Sequence, residues 1–391
     1  MISIGIDVSK EKSTVCILKP YGQVIASPYE IAHIESDIKK LVERIHALDA
    51  EAKVVLEATG GYHLPLITSL KQAGLFVSVI NPLIMKKYAS TSLRKGKTDK
   101  LDSIRIANFG IDNWFKLIDY SMPEDVYAEL KMLGRQYSHY MSVKVQSTLA
   151  LTDLLDRAMP GIKGLINVKR SDEPTKNKLC DFVEEYWHYD NIRSISEACF
   201  VEGYCQWAKR KGYRPNQTKA KSIYAMACNG IPTLSSKASS TKLLVLEAIK
   251  ILQEINRTLD VILKQMQALA STLPEYGVVS AMNGVGKVLT PRLIAEIGDV
   301  RRFHSGSALV AFAGIDSPPY QSGGFIGTQR RISKRGSALL RKTGYEVIKC
   351  LKTSKPSQDA SVYLYLVKKE KEGKPKRVAK IAALNKFLRI Y

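Results

Sequence analysis

Cysteine is scarce and shows no pairing pattern. Six residues (Cys16, Cys180, Cys199, Cys205, Cys228 and Cys350) are scattered through 391 positions without a Cys-x-x-Cys among them. A zinc site needs tighter ligand spacing, so reduced core thiols are the expectation. No apolar run reaches the roughly 18 residues that span a bilayer, and Met1–Asp7 lacks the pattern of a secretory leader. A reducing cytoplasm and no membrane partner follow. Acidic residues are the other shortage: residues 321–391 hold 4 Asp and Glu against 18 Lys and Arg, which is +14 of the net +22. So steep an asymmetry points to a polyanionic partner, because Lys and Arg displace counterions from phosphates.

What is present reads as two or three domains. Residues 1–115 alternate strands and helices. Ile2–Ile6 is a short apolar strand, Thr14–Leu18 and Val24–Ala26 flank a Pro20-Tyr21-Gly22 turn, and Lys53–Leu56 and Leu75–Ile80 are further strands. Helical periodicity runs over Glu35–Leu48, Leu64–Ala73 and Asp99–Phe109. Three strands, a helix, then strand–helix–strand–helix is the order of an α/β ribonuclease-H-like fold.

Residues 116–272 are mainly helical, with a polar, loop-like stretch around 167–177. Leu244, Ala248, Ile251, Ile255 and Leu259 recur at heptad-like spacing. An intramolecular helix pair and a dimerising coiled coil both fit that pattern. Within 160–240, Trp187, Tyr189, Phe200, Tyr204 and Trp207 stand among Lys and Arg. They suit either stacking on unpaired RNA bases or an ordinary small core. Residues 273–391 form a third, mostly helical region. It opens with Gly284-Val285-Gly286 ahead of an apolar helix, Val288–Ile297, in the manner of a helix-hairpin-helix.

Four acids carry the chemistry. Asp7 ends the first strand and Glu57 the fourth, and these strands are neighbours in a ribonuclease-H-like sheet. Asp99 and Asp102, three apart, share one helix face. Four carboxylates at one place repel unless divalent cations neutralise them, and oxygen-only ligands favour Mg²⁺ or Mn²⁺. Two such ions roughly 4 Å apart stabilise the attacking and leaving oxygens of a phosphoryl displacement. Nothing cationic is read between the acids except Lys100.

Gly5-Ile6-Asp7-Val8-Ser9-Lys10, Leu56-Glu57-Ala58-Thr59-Gly60-Gly61-Tyr62, Val79-Ile80-Asn81-Pro82 and Lys97-Thr98-Asp99-Lys100-Leu101-Asp102 resemble successive motifs of the insertion-sequence-110 transposase family. Further motifs resemble the same family's C-terminal domain: Gly284-Val285-Gly286, Ala295-Glu296-Ile297-Gly298-Asp299, Arg302-Phe303, Ala311-Phe312-Ala313-Gly314, Ser322-Gly323 and Ile332-Ser333-Lys334-Arg335-Gly336-Ser337. The resemblance implies a RuvC-like DEDD domain holding Mg²⁺ on Asp7, Glu57, Asp99 and Asp102. It also implies a nucleophilic serine, by position Ser322, that forms a covalent link to DNA. Further implications are a structured bridge RNA pairing with donor and target DNA, and a homo-oligomer, dimer or tetramer, in which acids and serine come from different subunits. The location implied is a bacterial or archaeal cytoplasm, near the nucleoid.

Arg330, Arg331, Lys334, Arg335, Arg341 and Lys342 around the serine, with Lys374, Lys376 and Arg377 beyond it, are expected to hold nucleic-acid phosphates. Ser333 suits a helix cap or a phosphate contact, and His63 a packed or capping role. The nearest rival is a RuvC-like endonuclease that resolves branched DNA with water and leaves Ser322 idle. A sugar-kinase or actin-like ATPase would need a second phosphate loop and an adenosine-binding glycine motif, neither of which is found. A packaging protein would leave the acids without a role.

Overall fold

The computed structural model describes residues 1–58, 60–90, 96, 98–122, 124–166, 176–319, 321–322, 324–327 and 331–391, and for Ser322, Phe325 and Ile326 the backbone. The chain divides into two compact units, Met1–Met122 and Pro123–Tyr391.

The first unit contains, in order, β1 (Ile2–Val8), β2 (Lys12–Leu18), β3 (Val24–Ala32), α1 (Glu35–His46), β4 (Ala52–Glu57), α2 (Leu64–Gln72), β5 (Val77–Ile80), α3 (Pro82–Ala89) and α4 (Asp99–Asp112). Its sheet has the order β3-β2-β1-β4-β5. β2 runs antiparallel to β1 and β3, and β4 parallel to β1 and β5. This is the ribonuclease-H-like order read from the sequence. A five-residue connection, residues 19–23, with Tyr21 and Gly22 both at positive φ, lets β2 reverse into β3. Helix α3, started by the Asn81 side chain accepting from the Leu83 amide and by Pro82, follows β5 where only a strand end was expected.

β1 is central and buried on both faces. Side chains alternate along a strand, so the two faces separate cleanly. Ile2, Ile4, Ile6 and Val8 join Val54 and Leu56 of β4, with Ile38, Leu41 and Ile45 of α1 and Leu66, Ile67 and Leu70 of α2, in one core. Ser3 and Gly5 face the other way, toward α4. On β4, Val55 packs with Met85 of α3 and Ile106 and Phe109 of α4 on that same second side.

The second unit is helical: α5 (Asp125–Ala158), α6 (Ile162–Leu165), α7 (Lys178–Glu185), α8 (Asp190–Arg193), α9 (Glu197–Arg210), α10 (Gln217–Asn229), α11 (Ser239–Ser271), α12 (Tyr276–Ala281), α13 (Leu289–Ile297) and α14 (Gly306–Phe312). A two-stranded hairpin, β6 (Gln321–Ser322) and β7 (Phe325–Ile326), precedes α15 (Ala338–Ser354), α16 (Ser361–Lys371) and α17 (Lys376–Ile390). Helix α5, 34 residues and therefore about 50 Å long, packs along α11. The pair is antiparallel and carries a core at each end. Leu151 and Leu155 meet Val245, Ile249 and Leu252 among α6–α10, while Tyr127, Leu130 and Tyr137 meet Ile255, Leu259 and Met266 among α12–α17.

Helix α11 is thus half of an intramolecular pair, and its seam keeps Ile255 and Leu259 of the heptad read from the sequence but not Leu244 and Ile251. Val245, Ile249, Leu252, Ile255 and Leu259 are buried, whereas Leu244 and Ile251 are 51% and 54% exposed. Four of the five aromatics of the 160–240 stretch are core residues, Tyr189, Phe200, Tyr204 and Trp207 all being at most 1% exposed, while Trp187 is half-buried and packs against that core. All six cysteines are free, but Cys199, Cys228 and Cys350 are exposed, so the expectation of core thiols holds fully only for Cys16 and Cys180. Among the described residues no helix is long and apolar enough to cross a membrane.

Candidate active site

Register brings the first two acids together. Ile6 pairs with Leu56 across parallel β1 and β4, so Asp7 and Glu57, the next residue on each strand, are neighbours. Alternation puts Asp7 on the face of Ser3 and Gly5, and Glu57 on the face of Val55. Both therefore lie on the side covered by α4.

Two glycines fix how α4 lies there. A Cβ at Gly5 would stand 2.3 Å from the Ser103 carbonyl oxygen and 2.3 Å from the Ala107 amide, and a Cβ at Gly110 would stand 2.1 Å from the Ser3 hydroxyl. Gly110 sits over Ser3 and Ser103 over Gly5, so α4 runs antiparallel to β1. Two more strand residues advance about 7 Å, which matches four to five helical residues. Asp7 is accordingly level with the first turn of α4, where Asp99 and Asp102 stand. Thr98 caps that turn, its hydroxyl accepting from the Leu101 amide at 3.2 Å. All four acidic positions thus gather at the carboxyl edge of the sheet. Asp7, Glu57 and Asp102 are half-buried and Asp99 is exposed.

The side chains are less closely gathered than the backbone. Among the described residues no three His, Cys, Asp or Glu side chains converge closely enough to hold a metal ion. Asp102 is turned onto Arg105, whose Nη1 donates to it at 2.8 Å while Nη2 donates to the Gly96 carbonyl at 2.7 Å. Arg105 is the cation that the sequence reading overlooked, although a spacing of three along a helix marks it. Asp99 acts on Lys12, whose ammonium is held above its usual range first by its hydrogen bond to Glu30 (2.6 Å) and to a smaller degree by Asp99. Uncompensated carboxylates repel, and a neighbouring guanidinium draws one of them aside. The donor set, four carboxylates and no sulfur or imidazole, fits a hard divalent cation. Arg105 occupies Oδ1 of Asp102, which leaves Oδ2 as the oxygen not bonded to that guanidinium.

His63 is 8% exposed, its Nδ1 has no hydrogen-bond partner among the described residues, and it makes no capping hydrogen bond to α2. It is a packed residue.

In the second unit, Ser322 pairs with Phe325 at the end of the β6–β7 hairpin, beside the turn that joins the strands. The loop that carries the hairpin is closed at its base. The Ser333 amide donates to the Asp316 carbonyl (2.9 Å), the Lys334 amide to Gly314 (2.9 Å) and the Ser337 amide to Phe312 (2.8 Å). Ser333 hydrogen-bonds the Asp316 carboxylate rather than capping a helix. Ser337 is the cap of α15: it accepts from the Leu340 amide at 3.0 Å and donates to Glu296 Oε2 at 2.7 Å. Gly284 of the Gly-x-Gly element serves packing, since a Cβ there would lie 2.9 Å from the Val347 carbonyl of α15.

Of the basic residues expected to hold phosphates, Arg331, Lys334, Arg335, Lys342, Lys374, Lys376 and Arg377 are exposed. Arg341 braces the loop, donating from Nη1 to the carbonyls of Ala313 (2.9 Å) and Gly336 (3.0 Å). Arg330 lies outside the described residues, as do Thr59, Lys97 and Gly323 of the motifs.

Residues 4–160 match the DEDD-type IS110 transposase family model, and residues 277–363 match the model described as transposase IS116/IS110/IS902 family. Together the two take in more than half of the sequence. The chain belongs to the IS110 family of transposases. Among its relatives, the pilin gene-inverting protein of Moraxella lacunata is 22% identical over 389 residues, covering 99% of this chain and 93% of that one. The insertion element IS116 uncharacterized 44.8 kDa protein of Streptomyces clavuligerus is 21% identical over 373 residues, 95% and 89% of the two chains. A solved structure, RuvC of T. thermophilus in complex with a Holliday junction substrate, matches with a TM-score of 0.23 and 11% identity, covering 30% of this chain and 96% of that one. As an IS110 transposase the chain acts on DNA, and the family's DEDD type carries divalent-metal dependence. Residues 161–276 fall between the two family models.

Proposed function

We propose that this transposase cuts and rejoins DNA at the carboxyl edge of its N-terminal sheet, with Asp7, Glu57, Asp99 and Asp102 as metal ligands and Ser322 as nucleophile. One observation supports the reading above all: the β1–β4 register and the antiparallel seating of α4 bring acids from three sequence regions to one edge. In chain order they read Asp, Glu, Asp, Asp, the DEDD of the family. Mg²⁺ or Mn²⁺ held there would neutralise the phosphate and ease loss of the attacking hydroxyl's proton. Ser322 forms an Oγ–P bond as the P–O bond to the leaving strand breaks. Its proton is lost to water and the leaving oxygen becomes a hydroxyl. The phosphodiester energy is kept in the phosphoserine link, so rejoining a new strand needs no external energy source. An unactivated serine is a weak nucleophile, which accounts for the reliance on the acidic edge.

The finer parts of the reading follow the family resemblance. A structured bridge RNA pairs with donor and target DNA, and a homo-oligomer, dimer or tetramer, supplies acids and serine from different copies. Arg331, Lys334, Arg335, Lys342, Lys374, Lys376 and Arg377 hold phosphates, and Arg330 and Arg341 belong to the same basic set.

Denaturing gels of end-labelled donor DNA test this. Wild type should give a covalent protein–DNA band, and Ser322→Ala should give none. Asp7→Asn and Glu57→Gln should lower strand cutting by about 100-fold or more. Cutting that survives in Ser322→Ala while Asp7→Asn is dead would instead establish the RuvC-like hydrolase, an endonuclease that resolves branched DNA with water. Cutting unchanged by RNase would remove the guide.

A further inference from the structure

Helices α9 and α10 form an antiparallel pair joined by residues 211–216. Tyr224 in the second half of α10 donates to the Ile195 carbonyl just before α9, at 2.9 Å, which fixes the far end of the pair. The end of α9, the turn and the start of α10 therefore share the near end. That end carries Lys209, Arg210, Lys211, Arg214, Lys219 and Lys221. The sequence around it is one-sided: residues 203–246 hold eight Lys and Arg and no Asp or Glu. Arg210 reaches Glu185 at 3.2 Å and Lys211 reaches Glu184 at 3.9 Å, whereas Lys209, Arg214, Lys219 and Lys221 make no ion pair among the described residues. Lys178 of α7 extends the surface, its ammonium held below the usual range first by burial and then by the charge of Lys219.

Like charges gathered at one place cost stability where no ion pair offsets them, as for Lys209, Arg214, Lys219 and Lys221 among the described residues, and an anionic partner relieves that cost. The aromatics decide which one. Phe182, Tyr189, Phe200, Tyr204 and Trp207 are turned into the core, all at most 1% exposed, so they offer no platform on which unpaired bases would stack. Tyr213 in the turn and Trp187 before α8 are half-buried, with the Lys178 ammonium 5.2 Å over the first ring and the Lys242 ammonium 5.9 Å over the second. What the near end exposes is therefore mainly charge, which suits the phosphates of a duplex.

We propose that the cationic end of the α9–α10 pair is a sequence-independent clamp on the backbone of duplex DNA, separate from the acids and from Ser322. It lies in the 161–276 stretch that neither family model includes. The proposal goes beyond the cutting reaction and uses only the DNA partner of the family. It holds or falls without Ser322, since binding is read with no strand cut.

The test uses the full chain in EDTA, binding a labelled random-sequence duplex by fluorescence anisotropy over a salt series. Lys209→Gln, Arg214→Gln and Lys221→Gln are combined in one variant. A charge-matched control carries Lys250→Gln, Arg257→Gln and Lys264→Gln, three exposed cations paired along α11. With about 0.9 of log–log slope per phosphate contact, the first variant should bind with a slope shallower by about 2 to 3, and the control with the wild-type slope. Equal slopes in the two variants overturn the proposal. So does a larger effect on single-stranded RNA of the same length than on the duplex. Should the triple variant melt early by circular dichroism, Arg214→Gln and Lys221→Gln alone should each lower the slope by about 0.9, and no change would again overturn it.

Discussion

At the scale of single residues, the site is organised as much by the absence of side chains as by the acids. Gly5 has no room for a Cβ, because backbone atoms of Ser103 and Ala107 would lie 2.3 Å away. Neither neighbour can rotate aside, so Gly5→Ala must lift α4 from β1. The expected cost is at the upper end of the overpacking range, about 3 kcal/mol, read from urea midpoints. Strand cutting should fall with it, since Asp99 and Asp102 ride on α4. A Gly5→Ala variant as stable as wild type would refute the seating of α4 described above.

A second residue-scale case is Asp119, which clasps the end of the sheet. Its carboxylate accepts from Lys71 Nζ at 2.7 Å and from the Val77 amide at 3.0 Å. Burial pushes its pKa up, but Lys71 and the amides of Val77 and Tyr120 outweigh it and hold the group below the usual carboxylate range. A depressed pKa stabilises the fold above the unfolded value and stops doing so as pH falls through the folded value. Asp119→Asn should therefore lower stability near neutral pH, by at most about 1 kcal/mol for so exposed a pair. In thermal melts the gap should be full above the ordinary carboxylate range and should close as pH falls below that range and through the lowered folded value. A gap that widened on acidification would show that another group holds this corner.

At the scale of elements, α11 shows why periodicity alone misassigns a seam. Leu244, Val245, Ile249, Ile251 and Leu252 are all apolar, and several faces of one helix fit a spacing of three to four. The antiparallel partner α5 selects Val245, Ile249 and Leu252 and leaves Leu244 and Ile251 outside. Ile249→Ala should cost about 2–5 kcal/mol, as for a large-to-small change in a core. Leu244→Glu and Ile251→Glu should stay within about 0.5 kcal/mol. Denaturant unfolding distinguishes the two classes, and a reversal would restore the heptad seam. The same selection acted on the aromatics of α7, α9 and the segment before α8. Mixed in sequence with Lys and Arg, they suited stacking on bases or a core equally well, and the α5–α11 pair supplied the wall against which they packed.

At the scale of the whole molecule, the sequence by itself determined the kind of protein this is. The strand order of the first unit, the positions of four acids at two strand ends and one helix start, and the family motifs at both ends were legible because each rests on local spacing and residue type. So was the need for a nucleic-acid partner, because net charge is a property of composition. Tertiary structure decided the rest. That Asp7 and Glu57 face α4 depends on which side of the sheet the helix covers. The turn of Asp102 onto Arg105 depends on a balance among charges that only folding brings near. Ser337, not Ser333, caps α15 because the loop closes through Asp316 and Gly314. Local spacing specifies elements, but a side chain's partner is chosen by whichever element packs against it, and that choice is made only when the chain folds.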